Sequence, residues 1–387
     1  MYGVATRMHV APALLTWAVE RSGLSDEQII DAFPRFPDWL EEGATPTLKE
    51  LDGFAHRTRT PLGYLFLAAP PDEPVPIHDF RTWGNAAVRR PSANLLETIY
   101  ACQRRQSWYR DYVKTLGLDS PGFVGSIDAQ TPVTEAAAAI SSALSLDSPT
   151  RSQWRSDDSA WRWLVSAIES LGVLVMINSI VGNDTHRKLD PAEFRGFALA
   201  DDTAPVIFVN GADSRPSRAP LMFTLVHELA HVWAGDSGLS AADPMVEHGQ
   251  DSELWANQVA AEVLVPAGEL AEVWIGATAD GLQGARRVFH VSTLVVLKQA
   301  LTCGLLGRAE YERSYNLEWK RVGATMTATP SRGGNFYYSQ PYRVSRRLAR
   351  AVVTDTLEGR TLFTEAYSLI GTRKHSTFER LAETVMA

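Results

Sequence analysis

The sequence predicts an α+β fold: a mostly helical chain with a small antiparallel or mixed sheet packed on a pair of helices, and helical modules at both ends. Three observations predict it. Apolar residues recur at helical spacing over most of the chain, while only short runs, Gly172 to Ile177 and Pro205 to Asn210, read as strands. Third, His227-Glu228-Leu229-Ala230-His231 sets two imidazoles one turn apart on one face of a helix.

A chain of 387 residues, 45% of them hydrophobic, is long enough for two or more domains with packed cores. The expected division is a helical bundle at 1–70, a Pro-rich linker at 71–91, a helical region at 92–165, a core carrying the His-Glu motif at 166–275, and a helical C-terminal region with a basic tail at 276–387. Cys102 and Cys303 are the two cysteines, too far from each other and from the His pair for zinc spacing, and read as reduced buried thiols. No stretch approaches the roughly 18 apolar residues of a membrane span. Val10 to Val19 contains Pro12 and runs into Glu20 and Arg21, which reads as a first helix rather than a signal peptide, so a cytoplasmic protein without membrane contact is expected.

In the first 70 residues Leu14, Leu15 and Ala18 form the inner face of a first helix. Gly23-Leu24-Ser25-Asp26-Glu27 opens a second, and Thr45-Pro46-Thr47-Leu48-Lys49 a later one. Trp17 to Ser25, Trp39 to Gly43, Pro46-Thr47 and Leu51 resemble the helix-turn-helix of XRE-type repressors. Pro34 and Pro37 interrupt the place of the recognition helix, and six Lys/Arg against nine Asp/Glu give this module a net charge of −3. Phosphate binding asks for a basic face, so a protein-docking bundle stands beside DNA binding as a reading.

Ser92 to Gly117 is helical, and its Tyr100, Arg104, Arg105, Trp108, Tyr109 and Tyr112 read as core spacing more readily than as a nucleic-acid surface. Ala136 to Leu144 and Ser159 to Leu171 are further helices, and Gly182-Asn183-Asp184 is a turn after the first strand. Pro205 to Asn210 reads as a buried or an edge strand, and an extended substrate could add to it, pairing its backbone with the edge.

Ala219 to Trp233 is the motif helix, with Leu221, Leu225, Leu229 and Val232 as its apolar stripe and the histidines on an adjoining face. Two imidazoles four residues apart can share one Zn2+, and Glu228 beside them can serve as general base. A catalytic zinc site takes three protein ligands, and Glu253 is the third assigned here. It lies four residues before Asn257 on a helix whose Ala256, Ala260 and Ala261 permit close helix packing and which Pro266 ends. Asn257 is expected to orient a metal-bound imidazole through its free N–H. Glu247, Asp251 and Glu262 are rival carboxylates. His248, His290, Tyr337, Tyr338 and Arg195 are candidates for stabilising an oxyanion, and none is singled out.

From Trp319 to Ala387, eleven Lys/Arg face five Asp/Glu in a chain of net charge −8. Thr364 to Gly371, Thr372 to His375 and Ser376 to Val385 read as helix, turn, helix; a solvated basic face and a polyanion-binding patch are both consistent with that.

Glu253, Ala256, Asn257, Ala260, Leu264 and Pro266, with Val259 and Val265 at two further apolar positions, follow the HExxH helix in a pattern that resembles the ImmA/IrrE family of metallo-endopeptidases. The hinge Pro70 to Thr82 with its Asp79-Phe80-Arg81-Thr82, the stretch Arg195 to Asn210, and the tail from Gly333-Gly334-Asn335-Phe336-Tyr337 extend the resemblance over nearly the whole chain. It implies a zincin-like zinc endopeptidase with His227, His231 and Glu253 as ligands and Glu228 as base, acting on a protein such as a transcriptional repressor. Long members carrying an XRE module also imply an alternative: an antitoxin-like or DNA-binding regulator, paired with a co-encoded toxin, whose peptidase site is vestigial.

Overall fold

The computed structural model describes residues 6–41, 45–79, 91–213, 217–240, 251–326 and 336–386, with side chains left out at 213, 322–326 and 336–338. Phe80, Arg81, Thr82, Glu247, His248, Gly333, Gly334 and Asn335, and the side chains of Tyr337 and Tyr338, lie outside the described residues. The chain divides into two compact units, Met1–Pro76 with Asn85–Tyr100, and Ile77–Gly84 with Ala101–Ala387.

The first unit holds α1 (Pro12–Ser22), α2 (Asp26–Ala32), α3 (Phe36–Trp39) and α4 (Leu48–Thr58). Local chemistry sets their ends. Ser25 with Gln28, and Thr47 with Glu50, form reciprocal capping boxes at the starts of α2 and α4, where the sequence predicts that helices open. Leu14, Leu15, Ile29, Leu51, Phe54 and Leu65 are fully buried. In place of a recognition helix stands the four-residue α3, with Pro37 in its first turn. Its Phe36 and Trp39 turn inward onto Phe54, with ring centroids 5.5 and 6.1 Å away. Arg35 just before it is engaged by Asp38 and Glu50. The Pro-rich stretch is anchored too: Glu73 receives two hydrogen bonds from Arg21, at 2.5 and 3.0 Å.

In the second unit β1 (His78–Asp79), β2 (Leu174–Asn178), β3 (Gly196–Leu199), β4 (Val206–Asn210) and β5 (Gly238–Ser240) form one mixed sheet in the order β1-β5-β3-β4-β2. β3 is antiparallel to both β4 and β5, whereas β2 runs parallel to β4 and β1 parallel to β5. Asp201 shapes the β3–β4 turn by accepting from the amides of Thr203 and Ala204. The strand Val206–Asn210 is therefore interior, held on both sides, and all five of its residues are buried. The expectation that a peptide could pair with its edge is corrected: no edge is open there.

Helix α5 (Ala93–Leu116) spans the boundary between the units at Tyr100. In its second-unit part Tyr109 is buried and Gln106 donates to the carbonyls of Leu199 and Ala204. Then come α6 (Val133–Leu144), α7 (Ser148–Ser152), α8 (Asp157–Ser170), α9 (Ala219–Ala234) and α10 (Asp251–Leu264). They are followed by α11 (Ala267–Val273), α12 (Ala279–Phe289), α13 (Thr293–Thr302), α14 (Arg308–Met326), α15 (Phe336–Val344), α16 (Arg346–Leu357), α17 (Phe363–Ile370) and α18 (His375–Met386). α9 and α10 share one core with α6, α8, α12 and α13. No helix among the described residues is long and apolar enough to cross a membrane.

Candidate metal centre

Helix α9 starts with Pro220 in its first turn and ends at Gly235, whose φ of 75° is the left-handed conformation glycine takes without penalty. A one-sided apolar stripe is not what the structure shows. Every residue from Leu221 to Trp233 is buried, so α9 is a core helix enclosed all round, and its polar residues must find partners inside the protein.

They find them on α10. Ala256 and Ala260 are fully buried, and these small side chains let the two helices approach closely enough for Glu253 to reach the α9 histidines. Glu253 Oε1 lies 2.9 Å from His231 Nε2, its Oε2 lies 3.5 Å from His227 Nε2, and the two Nε2 atoms are 3.1 Å apart. Three donors at about 2.0–2.1 Å from a tetrahedral metal stand about 3.3 Å from one another. The observed triangle has that size, and three protein donors leave a fourth position for a reactant. Among the described residues this is the one group of three or more His, Cys, Asp or Glu side chains arranged to hold a metal ion. The donor set thus fits zinc.

Electrostatics agree with the geometry. Burial pushes the Glu253 carboxyl up, yet His227 and His231 more than offset it and hold the group at about 2, a carboxylate at any ordinary pH. Glu228 is placed differently. It is completely buried, and burial pushes its carboxyl up to about 8, against the opposing influence of His231 and the Ser240 hydroxyl.

The seat of Glu228 is built by the sheet. Ser240 Oγ, in β5, donates to Glu228 Oε1, while Oε2 is buried with no hydrogen-bond partner among the described residues. Gly196 stands opposite Ser240 in the β3–β5 ladder, and a Cβ there would come 2.7 Å from Glu228 Oε1. Neither Ser240 nor Gly196 was singled out from sequence. Gly196 falls in the stretch that carries the family resemblance, which is the one signal that could have marked it.

The remaining candidates separate. Asp251 is exposed, and Glu262 is occupied by Gln299 Nε2 and the amide of Ala267, a structural role at the end of α10. Asn257 is buried, but it makes no hydrogen bond to either imidazole: its Oδ1 has no partner among the described residues, nor has His227 Nδ1. His290 Nδ1 lies 3.0 Å from Asp157 Oδ1, while Asp157 Oδ2 pairs with Arg286, so this imidazole links the end of α12 to α8. The Cys102 thiol is buried and free, and Cys303 is free and half-buried.

A buried HExxH helix, crossed by a second helix that brings a carboxylate to its two imidazoles, gathers three donors of the kinds that bind zinc. Residues 168–300 match a family model described as the IrrE N-terminal-like domain, of peptidase family M78. That span contains Gly196, His227, Glu228, His231, Ser240, Glu253 and Asn257, so the whole centre lies within the match to that peptidase-family model. Residues 344–384 match a domain of unknown function (DUF8813). No curated protein and no solved structure matches the chain.

Proposed function

We propose that the chain is a zinc-dependent endopeptidase whose substrate is a regulatory protein such as a transcriptional repressor. One observation carries the catalytic part: His227 Nε2, His231 Nε2 and the Glu253 carboxylate converge from two helices to separations of 2.9–3.5 Å, inside a match to a peptidase family. The regulatory substrate rests on the resemblance to the ImmA/IrrE family. His227, His231 and Glu253 would hold the zinc, which when bound polarises a carbonyl and acidifies water.

Glu228 does the proton work. Its carboxylate is next to the metal ligands in sequence and shielded from solvent, and it has one oxygen, Oε2, without a hydrogen-bond partner among the described residues. In the proposed reaction the ionised form of that carboxyl takes a proton from the attacking water and delivers it to the leaving amine, so that a peptide bond is exchanged for a carboxylate and an amine.

The test joins metal analysis to cleavage. The purified chain is expected to hold one equivalent of zinc and to cut a regulator encoded beside it. Glu228→Gln should keep the zinc and lose ~10²–10⁴-fold in rate. Cleavage unchanged by Glu228→Gln would sink the mechanism.

A further inference from the structure

Ser240 has a role that deepens the reading above and rests on it. Glu228 is wholly buried, and Ser240 Oγ is the one hydrogen-bond donor to its carboxylate among the described residues. A single hydroxyl replaces little of the hydration that a carboxylate gives up on burial. A pair kept only for packing would be more stable as two apolar residues, because a half-satisfied buried carboxyl is a cost.

The cost comes with directional control. Oε1 is gripped between the Ser240 hydroxyl and the bare backbone of Gly196, which stands opposite Ser240 in the ladder. A Cβ at Gly196 would also come 2.9 Å from Thr224 Cγ2 and 3.0 Å from the Phe208 carbonyl oxygen, so the space beside Oε1 is just sufficient for the carboxylate. With Oε1 fixed, the plane of the carboxylate and the direction of Oε2 are fixed as well.

We propose that Ser240 is a positioning residue: its hydroxyl locks Oε1 of Glu228 in the space left by Gly196, so that Oε2 is held ready to accept and return the proton in peptide cleavage. Ser240 touches neither metal nor substrate in this role. It acts through Glu228 alone.

The experiment uses the full chain loaded with zinc, and a mixture of fluorescence-quenched peptides as substrate. Ser240→Ala should lower kcat by ~10–100-fold, with KM, zinc stoichiometry and the circular dichroism spectrum unchanged. Ser240→Thr, which keeps the hydroxyl, should recover most of the loss. In a Glu228→Gln background, Ser240→Ala should cost nothing further, because the residue it positions has gone. A second readout is independent of turnover: the visible absorption of the cobalt(II)-loaded chain should change in Ser240→Ala as it does in Glu228→Gln, at equal cobalt content.

A wild-type kcat in Ser240→Ala, or losses that simply add in the double variant, would overturn the proposal while leaving the peptidase reading intact. If the wild-type chain takes up no zinc or cobalt, the metallopeptidase reading itself fails, and the role of Ser240 fails with it. If metal binds and no peptide in the mixture is cut, the cobalt spectrum decides: a Ser240→Ala spectrum identical to wild type overturns the role.

Discussion

His231 and Glu253 belong to different helices, yet His231 Nε2 and Glu253 Oε1 are 2.9 Å apart in the core of the second unit. The sequence separates them by 22 positions and the packing of small alanines on α10 closes the gap. If that contact is one edge of a metal site, Glu253→Ala should weaken zinc binding by more than about 100-fold, since even partners outside the ligand set are worth 10–100-fold. Bound metal also stabilises the fold by mass action, about 4 kcal/mol when free zinc is 1,000 times its Kd. Chelation should therefore lower the melting temperature of the wild-type chain and leave that of Glu253→Ala unchanged. Equal chelator sensitivity in the two would remove Glu253 from the ligand set.

Gly196→Ala tests the seat of the Glu228 carboxylate from the other side. The new methyl meets Glu228 Oε1 at 2.7 Å and the Phe208 carbonyl oxygen at 3.0 Å, and the latter is backbone that cannot swing away. Overpacking of this kind costs about 1–3 kcal/mol. The expected outcome is a melting temperature lowered by several degrees together with a larger loss of peptide cleavage than of zinc content. A variant as stable and as active as wild type would show that the seat is looser than its geometry.

Much of this was legible in the sequence because it is local. The four-residue spacing of His227 and His231, the helix starts near Ser25 and Thr47, and the proline-broken stretch around Pro37 all act within a turn or two of chain. Glu253 was legible because its helix carries the alanines that make close packing possible. Sheet order was not: whether Val206–Asn210 is an edge depends on where β2 and β3 dock, and short apolar runs read alike inside a sheet and at its margin. The enclosure of α9 was also hidden, since a stripe of Leu221, Leu225 and Leu229 suits a half-buried helix as well as a fully buried one. Ser240 lay out of reach for the same reason. Its link to Glu228 exists only once β5 pairs with β3.

Ser345 offers a ranking that depends on backbone conformation. It precedes α16 with φ at 74°, is fully buried, donates to Glu169 Oε1 at 2.5 Å and accepts from the amide of Leu348. Ser345→Ala loses both hydrogen bonds and keeps the unfavourable φ, at a cost of about 1–3 kcal/mol. Ser345→Gly loses the same bonds and relieves the backbone, worth roughly 1 kcal/mol. Thermal unfolding should therefore rank wild type above Ser345→Gly, and Ser345→Gly above Ser345→Ala. The reverse order of the two variants would show that the positive φ carries no strain.

The two thiols should differ sharply in chemistry. Burial pushes the Cys102 thiol up to about 12, against the opposing influence of Arg105 and Arg104, and its Sγ rests 3.6 Å from Met176 Sδ. Cys303 is half-buried and raised by burial and by Glu262. A thiol reagent at pH 8 should thus label one site slowly in the native chain, Cys303, and two after unfolding. The same shift sets a stability slope of known sign. Between the unfolded thiol value near 9 and the native value of about 12, the native chain holds a proton that the unfolded chain has released, so stability falls as pH rises through this window. The stabilisation is complete below about pH 8 and is lost with a slope that approaches about 1.4 kcal/mol per pH unit by about pH 10. Cys102→Ala lacks the titrating group, so the stability difference between wild type and variant should narrow by about 1 kcal/mol from pH 9 to 10. A difference that stays constant over that interval would mean that Cys102 ionises in the folded chain as readily as in the unfolded one.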